Sequence, residues 1–331
     1  MALCTYNGAQ FLAEQLTSIA RQTRMPDEII LLDDRSTDST LKIARAVCAE
    51  YGLPCSIHCN ETRLGVEANF SHAMLRTHGD VIFFCDQDDV WKAEKVKKML
   101  APFEQNRYVT LVYSDGDIVG PQLETTGVTL FTKNPDKQLE QGDMRNIGQR
   151  LRNGQSPGIK ASSLAFSSVV RDLAGPLPEG VAHDSWIAFF GYALGKVVAI
   201  PESLHLYRRH DHTSGKSSSN ALISGLHPAK KTLYSDRLQE KARLARCLDE
   251  RMCWLKTHSD EQEIHLGKRF AALQVDAQLA ARTLSARAAI AAHPKRMTRL
   301  RKGLWALLKG DYRAMTGIHH QLRTLLKDIR Q

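Results

Sequence analysis

The chain has 331 residues, long enough for one large domain or for two. Hydrophobic residues make up 43% of it, which is typical of a folded globular protein. No window approaches the ~18 consecutive apolar residues of a membrane-spanning helix, and the stretch from Met1 to Leu16 lacks the basic start and apolar run of a signal peptide. We therefore expect a cytoplasmic protein in which the seven scattered cysteines are reduced thiols.

The net charge of +9 is unevenly distributed along the chain. Residues 1–225 contain 23 Lys and Arg against 26 Asp and Glu, whereas residues 226–331 contain 22 against 10. The whole basic excess therefore lies in the last third. This asymmetry predicts contact with an anionic partner, either nucleic acid or an anionic membrane surface.

Residues 1–115 alternate between short apolar strands and amphipathic helices, which predicts an α/β domain. The patterns predict strands at 3–6, 28–32, 54–58, 81–85 and 110–113, and helices at 11–19, 36–49 and 66–77. Ser36 or Thr37 is the expected cap of the second helix, because hydroxyl side chains accept hydrogen bonds from the first amides of a helix.

The pattern weakens from residue 116 to 155, where we expect a long loop with short elements, of the kind that often serves as a lid. A strand at 164–166, a helix at 184–193 and a strand from Lys196 to Ile200 that ends at Pro201 follow. Ser- and Gly-rich residues then predict a linker, and the chain beyond Lys230 has helical composition. The expected organisation is an α/β domain at 1–215, a linker at 216–228 and a basic helical region at 229–331.

Three carboxylates, those of Asp86, Asp88 and Asp89, crowd the end of the apolar strand at 81–85. Like charges repel, and burial of each is costly unless a positive charge compensates it. Strand ends in open α/β sheets are where ligands bind, and hard oxygen ligands suit magnesium or manganese. The cluster therefore predicts a site for a metal-bound phosphate.

Other interpretations explain this cluster less well. A turn in which Asp88 or Asp89 caps a helix starting near Trp91 accounts for one carboxylate, not for three. A calcium loop requires Gly at its sixth position and Glu at its twelfth, where the chain has Trp91 and Lys97. A phosphatase with an Asp nucleophile would be expected to carry its motif on the first strand of the domain.

Four motifs occur in order along the chain: CTYNG at 4–8, DDRSTD at 33–38, DQDDVW at 86–91, and HDSW at 183–186 with YRRH at 207–210. In order and spacing they resemble the family 2 glycosyltransferases, which have the GT-A nucleotide-sugar fold. The nearest branch builds rhamnose-containing O-antigen and cell-wall polysaccharides in bacteria. The resemblance covers residues 1–215. One departure is that only Met1 to Leu3 precede the first motif, which leaves two alternatives: a misassigned start codon or a short first strand.

The resemblance implies an inverting, metal-dependent transfer of a sugar from a nucleotide diphosphate. It implies that Asp184 is the general base that deprotonates the acceptor hydroxyl. It implies that Asp88 and His210 hold manganese or magnesium. The donor-binding residues that it implies are Thr5, Tyr6, Asn7, Asp33, Asp34, Arg63, Asp86, Asp89 and Arg208.

Alternatives remain open for several of these residues. Asp184 is also a good N-cap for the helix that it begins, since Asp is a preferred residue there. Arg63 also fits an exposed arginine without a ligand. His210 lies in a basic tract with Arg208, Arg209 and His212, so a phosphate clamp is the alternative to metal ligation.

The resemblance favours dTDP-rhamnose as donor, with a UDP-sugar next, and a glycan or lipid-linked glycan as acceptor. Residues 294–331 carry ten Lys and Arg against two acidic residues. Apolar side chains at helical spacing there predict an interfacial helix on the anionic inner membrane surface or, alternatively, a helix packed on the catalytic domain. The apolar residues of this tail are Met297, Leu300, Leu304, Trp305, Leu307 and Leu308.

Two rival classes are weaker. A nucleotidyltransferase of similar topology would show a Gly-rich phosphate loop after its first strand, and residues 7–10 read Asn-Gly-Ala-Gln. A nucleic-acid binder would leave the acidic strand end unexplained, and the basic tail lacks interleaved aromatic residues for base stacking. We therefore expect no nucleic-acid partner.

Overall fold

A computed structural model describes residues 1–133, 144–211, 234–258, 268–293, 296–312 and 318–330. The chain folds into two compact units. The first contains the described residues up to 133 and those from 158 to 211. The second contains residues 144–157 and every described residue from 234 onward. Residues 144–157, expected within the 1–215 domain, thus belong to the other unit, and the expected linker at 216–228 lies outside the described residues.

The first unit is built on a mixed sheet with the order β3-β2-β1-β4-β8-β6-β9-β5, and β7 pairs with β6. Strands β1 to β4 are parallel, and the antiparallel β8 joins them to the second half of the sheet. The strands are β1 (Ala2–Thr5), β2 (Ile29–Asp33), β3 (Cys55–Cys59), β4 (Val81–Cys85), β5 (Val90–Trp91), β6 (Val109–Val119), β7 (Thr125–Thr129), β8 (Leu164–Ser167) and β9 (Lys196–Arg208).

Seven helices of the first unit flank this sheet in the described region. They are α1 (Leu12–Ala20), α2 (Thr40–Glu50), α3 (Val66–Leu75), α4 (Lys95–Gln105), α5 (Leu130–Lys133), α7 (Ser168–Ala174) and α8 (His183–Leu194). The core forms because β1 and β2 are buried on both faces, as expected of central strands with continuous apolar sequence. Helix α1 covers them with Leu12, Leu16 and Ile19, which share one helical face.

Two helix starts differ from expectation. Helix α2 begins at Thr40, after Ser39, because the amide and hydroxyl of Ser36 donate to the Asp33 carboxylate at 2.8 and 2.6 Å. No helix starts near Trp91: this residue pairs with β9, and α4 begins only at Lys95. The alternative in which an aspartate caps a helix at Trp91 is therefore wrong.

The last strand of the sheet is longer than the sequence pattern indicates. Strand β9 continues through Pro201 to Arg208. Its pairing with β6 changes register between the pairs Ser114–Ile200 and Asp115–Ser203, and this irregularity accommodates the proline, which has no amide to donate. The continuation carries residues 204–208 to the acidic loop, where Val90 pairs with Leu206 and Trp91 with His205.

The second unit is helical. Its helices are α6 (Met144–Arg152), α9 (Tyr234–His258), α10 (Lys268–Ala291), α11 (Arg296–Leu308) and α12 (Ile318–Arg330). Helices α9 and α10 form its longest contact, and α6 packs on α10 with an ion pair of 3.1 Å between Arg152 and Asp276. None of the described helices of either unit has the length and apolar character needed to cross a membrane.

A buried polar network joins three helices of this unit. Arg287 of α10 donates to both carboxylate oxygens of Asp328 on α12, at 2.9 and 3.2 Å. The hydroxyls of Tyr234 and Tyr312 donate to the same carboxylate, each at 2.8 Å. Asp328 is fully buried, and four donated hydrogen bonds together with the adjacent guanidinium compensate the loss of its hydration.

Asp328→Ala should lower the free energy of unfolding by about 3–5 kcal/mol, because the guanidinium of Arg287 would stay buried without its counter-charge. Urea denaturation of the full chain, followed by circular dichroism, measures this change. Asp27→Ala is the matched control: it breaks the exposed ion pair with Arg24 and should cost no more than about 1 kcal/mol. Equal, small effects of the two substitutions would contradict the importance of the network.

Candidate active site

The functional residues gather at one edge of the sheet. Strands β1, β2 and β4 are parallel neighbours, so the loops that follow them meet at their carboxyl ends. There they surround a cavity of about 540 Å³. Eight residues predicted from the sequence line it: Thr5, Tyr6, Asn7, Asp34, Arg63, Asp86, Asp88 and His210. Four others do not: Asp33, Asp89, Asp184 and Arg208.

Tyr6 and Arg63 form one wall of the cavity. The guanidinium carbon of Arg63 lies 3.9 Å from the centroid of the Tyr6 ring, a cation–π arrangement. Arg63 lines the cavity and is also exposed, so a contact to the donor and a solvent-exposed arginine both stay open as interpretations. A ring and a planar cation at the mouth of the cavity provide a flat surface against which a base or sugar ring could lie.

Asn7 joins the loop after β1 to the loop after β2. Its side-chain oxygen accepts from the Thr37 amide at 2.9 Å, and its own amide donates to the Ser36 hydroxyl at 2.8 Å. The Gly8 amide donates to the Thr40 hydroxyl at 2.8 Å. These bonds fix the backbone of both loops, so the cavity wall is formed before any ligand binds.

Gln87 holds the acidic loop against the end of β1, a role that sequence analysis did not assign. Its side-chain amide accepts from the Tyr6 amide at 2.9 Å and donates to the Tyr6 carbonyl at 3.0 Å. Gly8 lies beside it, and a Cβ atom there would lie 2.2 Å from the Gln87 side-chain oxygen. Ala in place of Gly8 would therefore push this amide away from Tyr6.

The two aspartates at the end of β2 have different surroundings. Asp33 is fully buried and accepts from the Thr5 hydroxyl at 2.8 Å and from Ser36, so it ties loops together outside the cavity lining. Asp34 lines the cavity, and its carboxylate accepts from the amides of Leu64 and Gly65 at 2.7 and 2.8 Å. Asp34 thus positions the loop that carries Arg63.

Asp86 and Asp88 bring negative charge into the cavity at the end of β4. Burial, then Asp88, then Asp184 raise the pKa of Asp86 to about 7. Asp88 lies beside His210, with 2.8 Å between its Oδ2 and the imidazole Nε2. The His210 ring in turn packs on Phe11, with ring centroids 4.6 Å apart. The chain thus places a carboxylate and an imidazole side by side at the cavity wall.

Asp89 does not line the cavity. It is fully buried, and its Oδ1 accepts from the Arg208 amide at 3.0 Å. Burial, then Asp88 and Asp86, raise the pKa of Asp89 well above its ordinary value. Lys95 is also fully buried nearby, and its ammonium donates to the Ser162 carbonyl. Burial lowers the pKa of Lys95 to about 7, and the charge of Asp89 opposes this shift. Asp89 therefore orients the acidic loop from outside the cavity lining.

Arg208 is a buried clamp on the acidic loop. Its Nε donates to the Asp88 carbonyl at 2.7 Å, another guanidinium nitrogen donates to the Pro121 carbonyl at 2.5 Å, and a third pairs with Glu14. The guanidinium also lies over the Phe11 ring, 4.6 Å from its centroid. With its three nitrogens engaged in this way, Arg208 positions Asp88 and Phe11 from outside the cavity lining.

Asp184 lies in the first turn of α8. The N-cap position is occupied by Ala182, and the Asp184 Oδ1 accepts from the neighbouring Ser185 amide at 2.6 Å. Asp184 is thus not the N-cap residue. The charge of Asp184 contributes to the raised pKa of Asp86, so the two carboxylates are close enough to interact. His183, next to it, stacks on Phe70 at 4.3 Å, and burial lowers the pKa of this histidine.

Several residues of the site give no signal in the sequence that identifies them individually. Phe11 and Phe70 read only as apolar positions of helices, yet both line the cavity. Burial first, then the neighbouring acidic residues, raise the pKa of Tyr207. Gln87 and Tyr207 lie within the motifs at 86–91 and 207–210, and that is the clue to them that the sequence provides.

A divalent cation has a restricted set of protein ligands here. Within the described residues there is no cluster of three or more His, Cys, Asp and Glu side chains arranged for a metal ion. Asp88 and His210 form a pair, and their facing atoms are 2.8 Å apart. The two atoms share a hydrogen bond here, and a carboxylate oxygen and an imidazole nitrogen are donor types that manganese and magnesium accept, so the pair suits such an ion by its chemistry. Magnesium is commonly held by one or two protein groups, with substrate phosphates and water completing its coordination.

The chain is similar to known proteins over both its sequence and its fold. A family model described as "Glycosyl transferase family 2" matches residues 2–162. The uncharacterised glycosyltransferase YwdF of Bacillus subtilis is 34% identical over 250 residues, which cover 73% of this chain and 82% of YwdF. The dTDP-rhamnosyl transferase RfbG of Shigella flexneri is 31% identical over 102 residues, covering 30% of this chain and 35% of RfbG.

Some relatives extend well beyond the matched region. The chain spans 58% of the length of the uncharacterised protein Rv1520 of Mycobacterium tuberculosis, with 27% identity over 220 residues that cover 63% of this chain. Among solved structures, Staphylococcus aureus TarS 1–349 superposes with a TM-score of 0.56 at 16% identity, covering 99% of this chain and 88% of TarS 1–349. The expected GT-A architecture is thereby confirmed. From the family model and the extensive match to YwdF, the chain belongs to glycosyl transferase family 2.

Proposed function

We propose that the protein is an inverting glycosyltransferase that moves a sugar from a nucleotide-diphosphate donor to an acceptor hydroxyl. The observation that carries the proposal is the strand-end cavity in which Asp86, Asp88 and His210 line one space. Three features of it suit a sugar nucleotide: a flat wall of Tyr6 and Arg63, an acidic end, and a volume of about 540 Å³, within the range of small-molecule sites.

Asp88 and His210 are the residues that would hold manganese or magnesium. The carboxylate and imidazole suit these ions, and the diphosphate oxygens of the donor would complete the coordination. When bound, the cation would stabilise the negative charge that develops on the leaving diphosphate. Burial first, then the charges of Asp88 and Asp184, raise the pKa of Asp86, so a cation bound beside it would favour its ionised form.

The reaction follows from these roles. Asp184 takes the proton of the acceptor hydroxyl, and the oxygen attacks the anomeric carbon of the donor sugar. The bond from that carbon to the diphosphate oxygen breaks, and the nucleoside diphosphate leaves with the electron pair. Attack opposite the leaving group inverts the anomeric configuration. Gln87 and Arg208 act indirectly, since both hold the acidic loop in place through backbone groups.

The donor we favour is dTDP-rhamnose, with a UDP-sugar as the alternative. The support is the match to the dTDP-rhamnosyl transferase of Shigella flexneri, which covers 30% of this chain. Thr5, Tyr6, Asn7, Asp34 and Arg63 are the proposed contacts to the nucleotide. Asp33, Asp89 and Arg208 act in our proposal as supports of these contacts, because each is engaged with the protein itself.

The acceptor we propose is a growing bacterial surface polysaccharide, carried on a lipid. A lipid carrier would confine the acceptor to a membrane surface, so the enzyme would work while bound at the inner face of the cytoplasmic membrane. The basic excess of residues 226–331 supports this location, since anionic lipids attract clustered Lys and Arg.

Asp88→Asn should lower turnover by ~10²-fold or more, because the amide keeps the shape of the side chain but loses the charge that holds the cation. Chelation of divalent metal should lower the activity of the parent enzyme in the same way. Asp172→Asn, which removes an exposed carboxylate on α7, is the control and should leave turnover unchanged. Parental turnover of Asp88→Asn would remove the metal role from this residue.

Asp184→Asn should lower turnover by ~10²-fold or more, which is the scale of general-base loss, while donor binding persists. The asparagine oxygen can still accept from the Ser185 amide, so the start of α8 should be retained. Turnover and donor-induced thermal shift are measured on the same preparation. If turnover stays within a few-fold of the parent, the base is another residue.

The donor class can be identified by thermal shift with dTDP, UDP and GDP, each with and without manganese. A ligand at 100 times its dissociation constant stabilises the folded state by about 2.7 kcal/mol. We expect the largest shift for dTDP with manganese. Turnover of the matching sugar nucleotide should release nucleoside diphosphate and no pyrophosphate. Release of pyrophosphate would instead indicate a nucleotidyltransferase and would overturn the proposed function.

A further inference from the structure

Helix α11 exposes large apolar side chains on its outer side. Met297 is 66% exposed, Leu304 48% and Trp305 57%. Contiguous apolar groups of this size are costly to leave in water. Met297, Arg301, Leu304 and Trp305 follow the spacing of one helical face, so the three apolar side chains form a stripe instead of being scattered around the helix.

The opposite side of α11 is anchored in the second unit. Ala306 belongs to a small buried cluster with Ile290, Tyr312 and Leu325, and Leu300 and Leu307 pack against it. The apolar stripe expected from the sequence is therefore divided: Leu300 and Leu307 face inward, whereas Met297 and Leu304 face outward. The helix is held by its inner side, and its outer apolar side is a formed surface.

Positive charge borders this outer side. Arg301 and Lys302 are exposed, and α11 contains four basic residues and no acidic residue. The Lys309 ammonium lies 3.6 Å from the centroid of the Trp305 ring. A tryptophan beside lysine and arginine, with apolar residues on one side, is the composition of helices that lie in the interface of a bilayer.

We propose that the outer side of α11, formed by Met297, Arg301, Lys302, Leu304, Trp305 and Lys309, docks on an anionic phospholipid bilayer. The helix lies in the plane of the interface. Met297, Leu304 and Trp305 enter the boundary between headgroups and acyl chains, and the cations contact lipid phosphates. The inference deepens the proposed function and rests on it, because the lipid-linked acceptor is what gives the enzyme a reason to bind a membrane.

Charge and shape together favour lipid over nucleic acid for this surface. Nucleic acid would pair with Arg301, Lys302 and Lys309 and could stack one base on Trp305, but it would leave Met297 and Leu304 in water. An anionic bilayer satisfies both features at once, since phosphates face the basic residues and acyl chains receive the apolar ones.

The test is flotation of the full-length protein with vesicles of phosphatidylcholine alone or with added phosphatidylglycerol. The parent should bind only the anionic vesicles, and less so at high salt, because attraction between exposed charges decays within a Debye length. The double variant Leu304→Glu/Trp305→Glu should bind at least tenfold more weakly. Trp254→Glu is the matched control, since Trp254 on α9 is 49% exposed, and it should bind like the parent.

A second pair of variants tests the charges without touching the apolar stripe. Arg301→Gln/Lys302→Gln should weaken vesicle binding by roughly tenfold. Lys42→Gln/Arg45→Gln removes two exposed positive charges from α2 and should have no such effect. All variants are surface changes, and thermal unfolding verifies that each is folded.

Three results would overturn the inference: a parent that ignores anionic vesicles, variants of α11 that bind like the parent, or controls that lose binding equally. Retention of the parent on single-stranded RNA, lost in Arg301→Gln/Lys302→Gln and without vesicle binding, would assign the surface to nucleic acid instead. Donor turnover is measured separately with soluble sugar nucleotide. If the parent fails that assay but binds vesicles, the proposed function fails and the membrane surface stands.

Discussion

Electrostatic crowding at the end of β4 is the constraint on which the active-site region depends. Asp86, Asp88 and Asp89 lie within four consecutive positions, and each has different surroundings. Asp89 is buried against the Arg208 amide, Asp88 lies beside His210, and Asp86 faces the cavity with its pKa raised to about 7. Burial and the neighbouring acids raise the pKa of Asp89 as well as that of Asp86, so negative charge is incompletely compensated at both residues. Asp86 is the one that faces the cavity, where a cationic ligand would add the missing charge.

The arrangement requires two distant parts of the chain to meet. Strand β9 brings Arg208 and His210 to the acidic loop across about 120 residues, through its pairing with Val90 and Trp91. The register shift near Pro201 sets which residues of β9 arrive there. A slip of one residue in this pairing would turn the Arg208 side chain to the other face of the sheet. The geometry of the site therefore depends on the register of β9.

The first half of the fold could be predicted because its signals are local. The apolar runs of β1 to β4 and the amphipathic α1 reflect burial that each segment shows by itself. The extension of β9 and the late start of α2 could not be predicted in this way. The first depends on pairing with residues far away in the sequence, and the second depends on the hydrogen bond from the Ser36 hydroxyl to the Asp33 carboxylate. Likewise, Arg208 reads as a phosphate clamp in the sequence, because the carbonyls that engage it belong to residues far along the chain.

Two aspartates of the chain illustrate how structural and functional carboxylates differ. Asp328 receives hydrogen bonds from Tyr234, Tyr312 and Arg287, so its charge is compensated by the protein alone. Asp86 faces a cavity, and burial together with neighbouring acids makes its ionised form unfavourable. Both side chains are costly to place in a protein interior, but only the second arrangement becomes more stable when a cation enters. Compensation of charge, more than burial itself, is therefore the physical property that distinguishes Asp328 from Asp86.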